Sequence, residues 1–206
     1  MKMPITSSAL AFLAALSVSA CAFEDRQANL TYPPKPESGG AAADAPATAT
    51  ARADAPLVTI VRFDDQRAEK EIVGQVSHSF GVETADVVSS GNVSDWVTNG
   101  LKWELEKAGY RVNVVNAPAS AASSLLVTGT VVLLHSSANI RTKGLVMLRA
   151  RIGNEKMDRS YEGHSVGAAD FFATEEVFSR ALSLALQDGL RKIVADIAKA
   201  LGDRAI

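Results

Sequence analysis

Apolar and polar residues alternate with period two through two long stretches of the chain, and recur at helical spacing through two others. Between residues 125 and 134, Leu125, Val127, Gly129, Val131 and Leu133 fall on one side, with Thr128 and Thr130 on the other. Between residues 145 and 152, Val146, Leu148, Ala150 and Ile152 oppose Met147, Arg149 and Arg151. Residues 157–164 continue the pattern more weakly, setting Arg159 and Tyr161 against Ser160 and Glu162. Such alternation marks strands with one buried and one wet face, the pattern of an antiparallel sheet. The turn-rich stretches 136–143 and 153–156 then read as the links of a three-strand meander. Residues 57–63 and 110–115 predict two further strands. Short strands are expected within 72–76 and 82–88.

Helical spacing appears on either side of the meander. Asn92 is a good N-cap, Asp95 suits the positive end of the helix dipole, and Gly109 is a natural stop. Between them Val93, Trp96, Val97, Leu101, Leu105 and Ala108 form one apolar stripe. A second helix is expected over 174–201, with Phe178, Ala181, Leu182, Ala185, Ile193, Val194, Ile197 and Leu201 on its stripe. The predicted fold is α+β: an antiparallel sheet with two helices packed on one face.

The first 56 residues lack this patterning. Lys2 followed by the apolar run 9–18 resembles a secretory leader, and that run is shorter than the roughly 20 residues a spanning helix needs. Val18-Ser19-Ala20-Cys21 looks like a lipobox, so residues 1–20 are expected to be a signal peptide and Cys21 the acylated first residue. Cys21 is the only cysteine, so acylation would consume the sole thiol and exclude any disulfide within the monomer. Ala22 and Phe23 follow in place of the Asp usual in inner-membrane lipoproteins, which points to the outer membrane, with the domain facing the periplasm. Residues 21–56, rich in Ala, Pro and Thr, read as a disordered tether. As a flexible coil that stretch would span on the order of 30–35 Å, and as polyproline on the order of 100 Å. Within it only Leu30, Thr31 and Tyr32 look able to dock. Residues 57–206 are then one domain.

Charge and motifs narrow the chemistry. The formal net charge is −2, which offers no footprint for nucleic acid and predicts no basic face for anionic lipid. Gly163-His164-Ser165-Val166-Gly167 matches the G-x-S-x-G of serine hydrolases, but no histidine follows His164 to act as base. His78, His135 and His164 lack the spacing of a metal site, and neither a metal nor a cofactor is expected. Asp65 and Arg67 form the best-marked polar cluster. They are read either as a partner or ligand contact or, preferably, as a local ion pair that fixes the exit of the first strand. Trp96 and Trp103, seven residues apart, share a helix face and are expected in the core. A partly exposed Trp103 would instead suggest an interface anchor.

Several of these pieces occur in the order seen in the YajG-type lipoproteins of Gram-negative bacteria. They are the lipobox, Leu30-x-Tyr32-Pro33, Asp65-x-Arg67, Val73-Gly74, Gly81-Val82, Trp96-Val97 and Glu106-Lys107-Ala108-Gly109-Tyr110. The chain resembles that family over most of its length, except for an Ala-rich stretch that looks like an insertion. The resemblance implies an envelope lipoprotein without an established activity. The expected function is a non-enzymatic protein-interaction or assembly module, held to the membrane through Cys21, whose partner is an envelope protein or cell-wall component. The alternative is a binder of a small ligand, such as a cell-wall fragment or lipid, in a groove between helices and sheet.

Overall fold

One long strand organises the molecule. The computed structural model describes residues 24–34, 55–77, 82–89, 91–118, 124–139, 141–155, 158–169 and 174–202. In chain order the elements are β1 (Arg26–Gln27), β2 (Leu57–Val61), β3 (Asp64–Asp65), β4 (Ile72–Ser77), β5 (Glu83–Val88), α1 (Val93–Lys107), β6 (Arg111–Val115), β7 (Leu125–Ala138), β8 (Arg141–Ile152), β9 (Arg159–Ala169) and α2 (Glu175–Gly202). Along one edge β7 pairs antiparallel with β8, which pairs antiparallel with β9. The other edge is shared in succession by β2, β3 and β4, all parallel to β7. β6 lies beyond β2 in parallel, while β5 and then β1 lie beyond β4.

The nine-stranded sheet is therefore mixed, and larger than the antiparallel sheet the alternation suggested. Alternation reports that one face is buried; it carries no information on strand direction. The direction signal lay in β2, whose run Leu-Val-Thr-Ile-Val has four consecutive buried residues. A strand covered on both faces reads as a continuous apolar run, as parallel strands do.

The meander itself forms as predicted, but longer. β7 reaches Ala138 and β8 starts at Arg141, so most of the expected turn 136–143 is strand. The β8 alternation is unbroken, with every second residue from Thr142 to Ile152 buried. In β7 it breaks. Val131 pairs with Leu148 and Leu133 with Met147, so one extra residue, Val132, forms a β-bulge. Leu125, Val127 and Val131 are buried before it, and Leu134, Ser136 and Ala138 after it. Leu133, expected inside, is 37% exposed.

Both helices contribute to one core with the inward residues of β2, β7 and β8. Asn92 caps α1 by accepting from the Asp95 amide at 3.0 Å, and Gly109 takes φ +90°, which ends the helix. α2 lies across β7, β8 and β9, with α1 beside it and against β2 and β6. Small residues set this approach. A Cβ at Gly163 would stand 1.9 Å from the Ala185 carbonyl oxygen of α2, and one at Gly144 would stand 2.4 Å from that of Ala181.

The expected tether does not begin at Cys21. Residues 24–34 belong to the fold: β1 pairs with β5, Ala28 is 1% exposed, and Leu30 and Tyr32 pack on the core. Tyr32 and Thr31 lie against the two helices like a strap. The Trp96 indole donates to the Thr31 carbonyl at 3.1 Å, as does the Ser183 hydroxyl at 2.6 Å, and Asn29 N donates to Ser179 Oγ at 2.8 Å. Leu30, Thr31 and Tyr32 stand out in the sequence as able to dock, but Pro33, Pro34, Pro36 and the alanines hide β1 and Ala28 when composition is taken over a long window. Residues 35–54, like Cys21 and the expected leader, lie outside the described residues.

Candidate functional site

The Asp65 and Arg67 cluster closes a turn. β3 hands the chain to the loop before β4, and Arg67, 6% exposed, folds back over it. Its Nε and Nη2 donate to the two Asp65 carboxylate oxygens at 2.9 Å, a bidentate pair. Nη1 donates to the Ile72 carbonyl at 2.9 Å and Nη2 to that of Lys70 at 2.6 Å. The guanidinium is thus satisfied within its own loop, which is the local ion pair preferred from the sequence.

Burial alone would raise the Asp65 carboxyl, but the hydrogen bonds and charge of Arg67 outweigh it and hold the group below the usual carboxylate range. A carboxylate depressed in this way adds stability above its unfolded pKa of about 3.9. That contribution is lost as pH falls through the folded value. Asp65→Asn should therefore cost about 3 kcal/mol at neutral pH, because Arg67 stays buried without its counter-charge. It should also flatten the loss of stability below about pH 4. Urea midpoints of the two proteins, compared at neutral pH and in acid, measure both effects.

The tryptophans divide. Trp96 is buried, as expected, whereas Trp103, on the same face of α1, is half-buried. Its ring meets Tyr32 edge-on at 5.6 Å between centroids, and Lys107 Nζ sits 4.8 Å from its centre. Beside it the carboxylate of Glu104, 6% exposed, accepts from Tyr32 Oη at 2.5 Å and from Gln187 Nε2 at 3.2 Å. Burial, and next the Glu104 carboxylate it bonds to, push the Tyr32 hydroxyl strongly up, so it stays a donor. These contacts hold the strap down on the two helices.

The G-x-S-x-G residues lie within β9, away from any strand-to-helix elbow. Gly163 meets α2, and the Ser165 hydroxyl donates to the Ala181 carbonyl at 2.7 Å. His164 is exposed and near Glu162, His135 is half-buried on β7, and His78 lies outside the described residues. A concavity of about 300 Å³ opens where β4 meets the bulge, lined by Arg67, Gly74, Gln75, Val132, Leu133 and His135.

The sheet surface away from the helices carries what net charge concealed. On β8, Arg141, Lys143, Leu145, Met147, Arg149 and Arg151 all face outward, and the four cations are exposed. Arg151 pairs with Asp158 at 2.9 Å. Among the described residues no carboxylate stands within ion-pair distance of Arg141, Lys143 or Arg149. The prediction of no basic face thus fails for this strand, because a sum over the chain says nothing about segregation. Cross-strand neighbours add Leu133 next to Met147, and Val166, 63% exposed, next to Lys143. The signal was present in the sequence as Arg-x-Lys-x-Leu-x-Met-x-Arg-x-Arg, the outward half of the same alternation.

No protein-family model and no curated protein matches the chain. Among solved structures it is similar to protein XCC0632 from Xanthomonas campestris, assigned to family DUF330. The TM-score is 0.55 at 11% identity, covering 87% of this chain and 99% of that one. It is also similar to an uncharacterised protein at TM-score 0.50 and 14% identity, covering 69% of this chain and 92% of the other. At such identities the likeness is one of fold, shared with proteins that are themselves uncharacterised.

Proposed function

We propose that the protein is an outer-membrane lipoprotein of the YajG type, acylated at Cys21, whose domain is a non-catalytic interaction or assembly module. The observation that carries this reading is the sheet surface of β7, β8 and β9 that no described element covers. There Leu133, Leu145, Met147 and Val166 lie among cations, and among the described residues β9 has a partner on one edge only. An apolar band rimmed by charge, beside a free strand edge, suits contact with another macromolecule. The ligand-binding alternative draws on the concavity near Arg67, but that guanidinium already has four acceptor contacts in its own loop. Ser165, the one residue with a hydrolase-like motif, is engaged with α2.

Two measurements test the proposal. Cys21→Ser should abolish labelling by radioactive palmitate and leave the chain uncleaved or soluble; persistent label rejects the anchor. A photocrosslinker at Leu133, beside Met147, should give one discrete adduct with an envelope protein in living cells, and Met147→Glu should remove it without changing the melting temperature. A saturable small ligand at the concavity, with no such adduct, would favour the alternative.

A further inference from the structure

Given acylation at Cys21, we infer that the domain is held against the bilayer rather than on a leash, with the Arg141 and Lys143 end of β8 meeting phospholipid headgroup phosphates. The argument begins with chain length. Glu24 is already part of the described fold, three residues after Cys21, and Arg26 is the first residue paired in the sheet. Fully extended, five residues reach at most about 18 Å. An acyl group at Cys21 would therefore keep the sheet within that distance of the membrane surface, whatever the length of residues 35–54.

Strand direction then decides which end of the sheet is close. A continuous row crosses five strands: Arg26 beside Val87, Val87 beside Gly74, Gly74 beside Ser136, and Ser136 beside Gly144. β1 is parallel to β5, β5 antiparallel to β4, β4 parallel to β7, and β7 antiparallel to β8. β1 and β8 thus run the same way, and the chain before Arg26 leaves the sheet at the end where β8 begins. That is where Arg141 and Lys143 stand. Four strand spacings, about 19 Å, separate them from β1.

Their charge is available. Both are exposed, and among the described residues neither has a carboxylate within ion-pair distance. Of the acidic side chains at this end, Glu24, Asp25, Glu83 and Asp86 belong to the β1 and β5 edge, and Glu175 and Glu176 to the first turn of α2, on the opposite face of the sheet from Arg141 and Lys143. Asp25 accepts from the Asp86 amide and Glu83 from Gln75. The β1 and β5 carboxylates lie three or four strands from β8, roughly 14–19 Å away, beyond the Debye length of about 8 Å at physiological salt, and the sheet itself stands between the α2 glutamates and the outward cations. The cations therefore present a local phosphate site despite the negative net charge. An acyl chain combined with a basic patch is also the two-signal arrangement that makes membrane attachment firm.

The test uses the acylated protein reconstituted into vesicles containing phosphatidylglycerol and a nitroxide-headgroup lipid as quencher. Acylation leaves no native thiol, so Ser137→Cys and Ser160→Cys each place one fluorophore. Ser137 pairs with Lys143, and Ser160 with Arg149 toward the other end. Quenching should be several-fold stronger at position 137. R141E/K143E should remove that excess, as should a long Gly/Ser spacer inserted between Phe23 and Glu24. Equal quenching at the two positions, or an excess that R141E/K143E leaves unchanged, overturns the inference. An excess of protection at 137 that appears only with an acidic envelope protein present overturns it in favour of that partner. Failure to associate with vesicles of any composition instead rejects acylation at Cys21.

Discussion

Gly163→Val is expected to yield no folded protein, and Gly163→Ala to lose about 3 kcal/mol, the upper end of the range for overpacking. The cause is geometric. The new Cβ would lie 1.9 Å from the Ala185 carbonyl oxygen and within 2.6 Å of the Gly189 amide nitrogen. Both are backbone atoms of α2, so no rotamer change can relieve the clash. For a chain of this size the alanine variant should melt about 6–12 °C lower. Gly167→Ala, whose nearest contact would be 3.5 Å, is the control and should change stability by less than about 0.5 kcal/mol. Thermal melts followed by circular dichroism separate the two glycines. A Gly163→Ala protein as stable as the parent would mean that α2 does not rest on β9 in this way. The first glycine of the hydrolase-like motif thus has a packing requirement that accounts for it fully.

Residues 28–32 should matter to stability, and residues 36–55 hardly at all. Replacing Leu30 and Tyr32 together by serine removes part of the apolar burial of two large side chains, each about 1.5–3 kcal/mol when complete. It also strips the Glu104 carboxylate of its Tyr32 donor, a loss of about 1–3 kcal/mol for a buried acceptor. The melting temperature should fall by about 10 °C or more. Deleting residues 36–55 should move it by no more than about 2 °C, since no described core residue comes from that stretch. Equal effects of the two changes would contradict the strap. A large effect of the deletion alone would move the docked segment to the Ala-rich stretch.

Helix ends and one-face strands were legible because their signals are local. Asn92 and Gly109 bracket α1 within two residues of where it begins and ends, and the β8 alternation is reproduced residue for residue. Pairing partners were not legible. Which strands lie beside β7, and in which direction, follows from contacts between residues far apart in the chain, as in Val58 beside Leu125. The strap was legible only in part, in Leu30, Thr31 and Tyr32, for a different reason. Ala28, Leu30 and Tyr32 do alternate with Asn29 and Thr31, but the proline-rich composition just after them pointed the other way. At the candidate site, Asp65 and Arg67 were recognisable as a pair, and their engagement with the Lys70 and Ile72 carbonyls was not. The basic row of β8 was printed in the alternation, yet only the buried half of that pattern was given meaning.

The extra residue at Val132 makes β7 a strand read in two frames. Up to Val131 the odd-numbered positions are the interior ones; from Leu134 onward the even-numbered positions take over. Each frame serves a different neighbour, β2 beside the first and β4 beside the second. The second frame is what turns Ser136 inward, where its hydroxyl donates to the Val73 carbonyl at 3.0 Å and occupies the space left by Gly74. A single-residue deletion is therefore not equally harmful along this strand. Loss of Thr128 would put the next stretch out of phase with β8, whereas loss of Val132 would only remove the bulge, merging the two frames into one regular alternation that keeps Ser136 facing inward. Alignments that slide freely across Val132 would then equate interior residues of one homologue with surface residues of another.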